Sequence, residues 1–144
     1  MIRFDILLLI LILYLLYHDL VYYEFYCEYF KQEDPFLAKI ASRLQTLHPR
    51  LKDVTIHEGN KSYTVNKKRI FICLRDENGD YYDDNMIAYV LCHEFAHVLC
   101  DEYNPKNPHT AKFHKIFQDL LQKAQWHGYY DPTKPLIQNY CGHD

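Results

Sequence analysis

Two histidines and a glutamate form the pattern in this sequence that points most directly to chemistry. His93, Glu94 and His97 lie in the stretch HEFAH. On a helix, residues four apart project from one face, one turn apart, so the two imidazoles can bind a single metal ion. Glu94 lies beside them and can reach a water molecule at that ion. This HExxH spacing predicts a zinc site with two histidine ligands and a glutamate general base.

The residues around this motif are apolar at almost every position, which predicts a buried helix. They are Met86, Ile87, Val90, Leu91, Phe95, Val98 and Leu99. Burying two histidines and a glutamate without partners is costly, and a metal ion supplies the partner. The alternative interpretation is a pair of core histidines with ordinary hydrogen bonds.

A catalytic zinc site needs a third protein ligand and keeps one position for water. The metzincin pattern HExxHxxGxxH does not apply, because Cys100 stands at its glycine and Tyr103 at its last histidine. Downstream, His109 starts a helical apolar stripe that includes Phe113, Ile116, Phe117, Leu120, Leu121 and Ala124, whereas His114 falls on the polar side. We therefore expect His109 to be the third ligand. A merely packed His109 and a carboxylate ligand from Asp119, on the polar face, are the alternatives.

The segment HEFAHVLCDEYNPKNPHTAKF resembles the active-site segment of SprT-like zinc metallopeptidases and of the related WLM group. In these proteins a histidine and an aromatic residue follow HExxH about a dozen residues later, in a form like HGxxF. His109 and Phe113 match, and Thr110 stands where glycine is usual. The resemblance covers about residues 62–125. It implies a minimal gluzincin-like protease core, with one Zn²⁺ per chain and a strand beside the active-site cleft.

The expected reaction is metal-assisted hydrolysis of a peptide bond in a protein or peptide substrate. Zinc lowers the pKa of a bound water towards about 7, and Glu94 takes its proton and later delivers it to the leaving amine. The substrate could add as a strand to an exposed sheet edge in residues 69–74. Candidates for stabilising the oxyanion are four residues of the tail, His127, Tyr129, Tyr130 and Tyr140.

The elements that must position these residues indicate an α+β domain: a helix, a small antiparallel sheet, then two packed helices that carry the zinc site. Asp34 can cap the first helix, with Pro35 at its first position. Strands are predicted at 53–58, 62–66 and 69–74. The next helix runs from a cap at Asp83 or Asp84 to about Tyr103, and the last covers about 108–125.

The amino terminus carries an unbroken apolar run, Ile6 to Tyr17, behind Arg3. The run is shorter than the roughly 20 residues that span a bilayer, but it reaches that length if the helix continues to Tyr26. No small-residue cleavage site follows. We expect an uncleaved membrane anchor in residues 1–30 and a peptidase domain in residues 31–144. A helix packed on the domain is the alternative, and the orientation is left open by the flanking charges.

Charge and cysteine content restrict the other possibilities. The net charge of −3 and the absence of a basic run longer than Lys67–Arg69 disfavour direct nucleic-acid binding. A DNA-repair role by family analogy and a non-catalytic zinc-binding adaptor tethered to a membrane are the competing functions. The cysteines are Cys27, Cys73, Cys92, Cys100 and Cys141, an odd number without a CxxC pair. We expect most of them to be reduced, which points to the cytosolic side of the membrane.

Overall fold

The structure is a computed structural model that describes residues 4–29 and 33–142, with side chains for 4–23 and 33–142. The chain divides into two units, Met1–Gln32 and Glu33–Asp144. This division lies within two residues of the boundary expected from the sequence. Arg3 lies outside the described residues, and the side chains of Tyr26 and Cys27 lie outside the described side chains.

The first unit contains one helix, α1 (Phe4–Tyr29). Its stretch Phe4–Tyr23 is long and apolar enough to cross a membrane, judged by length and composition. A signal sequence near the amino terminus, or the core helix of a soluble protein, meets the same criteria. The predicted long apolar helix is therefore confirmed, and its role as an anchor is taken up below as a proposal.

The second unit begins with α2 (Pro35–Leu44). The Asp34 carboxylate caps it by accepting hydrogen bonds from the backbone N–H groups of Phe36 and Leu37 at 2.9 and 3.2 Å. Its buried face consists of Leu37, Ile40, Ala41 and Leu44. Two short 3-10 turns, Gln45–Leu47 and Pro49–Asp53, lead from it to the sheet. The cap and the start of this helix are as the sequence predicts.

The sheet has three short strands, β1 (Thr55–Glu58), β2 (Tyr63–Val65) and β3 (Arg69–Ile72). Their order is β1-β3-β2, with β3 parallel to β1 and antiparallel to β2. The α+β class is confirmed, but the prediction of a purely antiparallel sheet is wrong for the β1–β3 pair. Alternation of apolar and polar residues predicts where strands lie but not which strands pair. Ile70 and Ile72 of β3 are fully buried, as fits the central place of β3 in the sheet.

Two helices complete the core, α3 (Asp84–Leu99) and α4 (Ala111–Trp126). Asp83 caps α3, and the helix ends short of Tyr103 because Cys100 adopts an extended conformation. Thr110 caps α4, so this helix starts later than predicted. α3 packs against α2, α4 and the sheet. It is buried on almost every side, as its composition predicts.

A disulfide joins Cys73, directly after β3, to Cys141 in the carboxy-terminal tail. Cys92 and Cys100 are free and buried. The expectation that most cysteines are reduced holds for Cys92 and Cys100 but not for Cys73 and Cys141, and Cys27 lies outside the described side chains. Cys73 and Cys141 are separated by 68 positions in the sequence, and such a separation gives no pattern by which the pair could be recognised.

Candidate active site

Three imidazoles from two parts of the chain converge at one point. His93 and His97 project from α3, and His109 approaches from the loop that precedes α4. The Nε2 atom of His109 lies 3.2 Å from Nε2 of His93 and 3.2 Å from Nε2 of His97. Phe113, which is fully buried, contacts all three rings, with centroid distances of 5.0, 4.4 and 4.7 Å. The structure thus brings together the three residues that the sequence predicts as ligands.

The position of His109 is set by the loop between α3 and α4, because His109 lies before the first residue of α4. Its backbone N–H donates to Asn107 Oδ1 at 3.2 Å. Thr110, the next residue, caps α4 by accepting a hydrogen bond from the Phe113 N–H at 3.3 Å. Thr110 therefore acts as the helix cap, at a position where the SprT-like and WLM proteins usually have glycine. Helical periodicity points to His109, which the structure brings to His93 and His97, but His109 itself lies just before the helix.

The spacing of the three histidines, and the protonation of His93 and His97, fit a zinc ion. Zinc–nitrogen bonds of about 2.0–2.1 Å at tetrahedral angles place ligand nitrogens about 3.3 Å apart, close to the observed spacing. Burial, with the neighbouring His97, His109 and His114, lowers the pKa of His93 to about 4. Burial, with His109, likewise lowers the pKa of His97 to about 4. Both rings are therefore neutral near pH 7, which is the form that binds a metal.

Glu94 lies next to His93 on α3 and is buried, with 5% of its surface exposed. Its Oε2 atom accepts a hydrogen bond from the Thr64 hydroxyl of β2 at 2.7 Å. Burial raises the pKa of Glu94, and the bond from Thr64 opposes part of that increase. A buried carboxylate with a raised pKa beside three converging histidines is suited to accept a proton from water.

The histidines and Glu94 line a cleft of about 500 Å³. One wall is β2 with the following turn, which includes Lys67, and the other wall is α3. Residues of the segment 100–109 also line it, among them Tyr103, which is 79% exposed. The Lys67 ammonium donates to the carbonyl oxygen of Cys100 and so connects the turn after β2 to the start of this segment. The cleft is large enough to admit a short stretch of peptide.

The strand that borders this cleft is β2, which corrects the expectation that 69–74 would offer the free edge. β3 occupies the centre of the sheet and pairs on both sides, with β1 and with β2. β2 pairs with β3 alone among the described strands. Among the described strands, the edge beside the cleft therefore belongs to β2, whereas β3 has no free edge.

The alternative ligands do not reach the three histidines. His114 is exposed, and its ring centroid lies 6.3 Å from that of His109. Asp119 is also exposed and pairs with Lys123 at 2.7 Å, one turn along α4. Neither residue belongs to the group of donor atoms that lie within 4.8 Å of one another.

None of the four tail residues considered as oxyanion donors lines the cleft. His127 stacks on Tyr129 at a centroid distance of 5.5 Å, and Tyr130 packs against Tyr89 at 6.0 Å. The Tyr140 hydroxyl donates to the carbonyl oxygen of Cys73. The tyrosines that do line the cleft are Tyr63 and Tyr103. Nothing in the spacing of the fourteen tyrosines distinguishes these two from the others.

Three viral proteins are similar to this chain. Uncharacterized protein 136R of Invertebrate iridescent virus 6 is 49% identical over 94 residues, covering 63% of this chain and 51% of that protein. Uncharacterized protein 042R of Invertebrate iridescent virus 3 is 47% identical over 90 residues, covering 62% and 54%. A protein of Acanthamoeba polyphaga mimivirus is 37% identical over 86 residues, covering 55% and 42%. The chain spans about half the length of these relatives. No protein-family model and no solved structure matches it.

Proposed function

We propose that this protein is a zinc-dependent metallopeptidase of the SprT-like or WLM type. The observation that carries the proposal is the convergence of His93, His97 and His109 beside the buried carboxylate of Glu94, in a cleft bordered by a strand edge. A site that only holds a fold together is usually closed and has four protein ligands. Here three histidines and an open cleft leave room for water and substrate.

Each group has a role in the proposed reaction. If one Zn²⁺ is bound, His93, His97 and His109 would hold it, and the ion would supply Lewis acidity toward a water molecule and a peptide carbonyl oxygen. Glu94 accepts the proton of the attacking water and passes it to the nitrogen of the departing amine. β2 binds the peptide main chain by strand addition, which favours extended or unfolded substrates and depends little on their side chains. Tyr103 lines the cleft and is the tyrosine we propose as a donor to the developing oxyanion, because Tyr63 stacks on Phe71.

The competing functions receive less support from the molecule. A zinc-binding adaptor has no use for a buried carboxylate next to its ligands, because burying it costs stability. A DNA-associated protease would benefit from a basic surface, yet the chain has a net charge of −3. We therefore propose a protein or peptide substrate and no direct contact with nucleic acid.

Cleavage of an unfolded protein by the full chain, purified in detergent and loaded with zinc, tests this function. Glu94→Gln keeps the size of the side chain but removes the base, so the rate should fall by about 10²–10⁴-fold. Glu77→Gln is a matched control, since Glu77 is exposed and lies outside the cleft. Zinc content should be equal in all three proteins. A zinc-loaded wild type without peptidase activity would support the adaptor instead.

We also propose that α1 anchors the protein in a membrane, because Phe4–Tyr23 is long and apolar enough to span one. The Cys73–Cys141 disulfide favours an oxidising compartment for the second unit and argues against the cytosolic side. The full chain should stay with membranes after high-salt and carbonate washes. Its release by those washes would contradict the anchor. In sealed vesicles, labelling of Cys141 only after reduction of the disulfide would show that the second unit lies in an oxidising compartment.

A further inference from the structure

We propose that Thr64 is the positioning residue for the general base: its hydroxyl fixes one oxygen of the Glu94 carboxylate and leaves the other for the attacking water. This inference rests on the proposed peptidase function and adds a residue to its machinery. Thr64 lies on β2 and Glu94 on α3, 30 residues apart. The HExxH pattern therefore gives no indication of the pair.

The contacts assign different environments to the two carboxylate oxygens. The Thr64 hydroxyl lies 2.7 Å from Oε2 of Glu94 and 3.3 Å from the Glu94 carbonyl oxygen. A hydroxyl has one hydrogen to donate, and the shorter distance places it on Oε2. No described residue donates to Oε1. Among the described side chains, no buried polar atom lacks a partner, so Oε1 is open to the cleft that Glu94 lines.

Thr64 is itself held in place by the strand that carries it. It pairs with Ile70 of β3 in the sheet. Two residues earlier, the Ser62 hydroxyl accepts a bond from the Cys73 N–H at 3.0 Å and donates to the Tyr140 hydroxyl at 2.9 Å. Tyr140 completes the ring by donating to the Cys73 carbonyl oxygen. This closed ring, beside the Cys73–Cys141 disulfide, fixes the start of β2.

The expected effect of losing the hydroxyl is kinetic. Glu94 keeps its place on α3 without Thr64, but its carboxylate gains rotational freedom and Oε1 is less often aimed at the water. Because misplacement of about 1 Å can cost about 10²-fold in rate, we expect Thr64→Val to lower kcat by about 10–100-fold. KM should change by less than about threefold, since the β2 backbone that binds the peptide is retained.

The test compares Thr64→Val with Thr64→Ser in the zinc-loaded full chain. Valine keeps the volume and β-branched shape of threonine, and serine keeps the hydroxyl. We expect serine to restore kcat to within about threefold of wild type, with zinc content unchanged in both variants. In a Glu94→Gln background, Thr64→Val should have almost no further effect, because the two residues act as a unit.

The outcomes separate this inference from the function on which it rests. If wild type cleaves, Glu94→Gln does not, and Thr64→Val matches wild type, the role of Thr64 is wrong and the proposed function stands. The same holds if valine and serine lower kcat equally, or if the loss lies in KM or zinc content. If zinc-loaded wild type cleaves no substrate, both proposals are overturned.

Discussion

Nε2 of His109 lies 3.2 Å from Nε2 of His97, although twelve residues and a change of element separate the two histidines. The loop between α3 and α4 makes this possible by turning the chain back across the end of α3. The Phe113 ring contacts both imidazole rings, at centroid distances of 4.4 and 4.7 Å. The pair shows where the third histidine joins the two of the HExxH motif.

Replacing His109 by alanine should sharply reduce zinc binding. The site would keep two protein ligands, so we expect the affinity to fall by more than the roughly 10–100-fold that loss of a ligand's hydrogen-bonding partner costs. His114→Ala is the matched control, since this histidine is exposed on α4 and belongs to no group of converging donor atoms. Zinc content after dialysis against a weak chelator measures both. An equal loss in the two variants would refute His109 as the third ligand.

The sequence could predict the part of this site that lies within one helix. His93, Glu94 and His97 are neighbours on α3, and helical geometry alone places them together. The apolar residues of α3 and α4 likewise predicted which faces are buried, as Phe113 and Phe117 confirm. His109 was found through helical spacing and a family resemblance, although it lies before α4.

Features that join distant parts of the chain could not be predicted in this way. Periodicity carries no information on strand order, so the parallel β1–β3 pair and the free edge of β2 were missed. The Thr64–Glu94 bond and the Cys73–Cys141 disulfide link residues 30 and 68 positions apart. Such contacts depend on how the elements pack.

The disulfide should contribute strongly to stability because it closes a long loop. For a separation of 68 residues, loop-closure entropy gives up to about 4 kcal/mol, so reduction should lower Tm by about 10 °C or more. Thermal unfolding of wild type with and without a phosphine reductant measures this. Cys141→Ser is the control, and the reductant should leave its Tm unchanged. An unchanged Tm in reduced wild type would contradict the role of this crosslink.

The Asp34 cap should make stability sensitive to acid. Burial would raise the pKa of Asp34, but hydrogen bonds from Tyr81, Leu37 and Phe36, with the Arg75 charge, together hold it below its usual 3.8. The ionised cap thus stabilises the fold above about pH 4, and this contribution is lost as the pH falls through the lowered value. Near pH 7, Asp34→Ala should cost about 1 kcal/mol, or about 4 °C in Tm.

Thermal unfolding of metal-free wild type and Asp34→Ala, from pH 7 down to pH 2.5, checks this cap. The difference in Tm should stay constant down to about pH 4 and shrink below it. Tyr81→Phe removes one donor to the carboxylate, so its loss of stability should also fade in acid. A difference that is independent of pH would show that Asp34 acts through packing rather than charge.

The most direct measurement is a zinc titration of metal-free full-length protein, followed by both bound zinc and the rate of peptide cleavage. The account predicts that wild-type activity rises linearly and stops rising at one zinc per chain. Glu94→Gln should bind the same single zinc and remain at least about 10²-fold slower. If activity is independent of zinc, or if Glu94→Gln regains the wild-type rate at one zinc per chain, the protein is not the metallopeptidase proposed here.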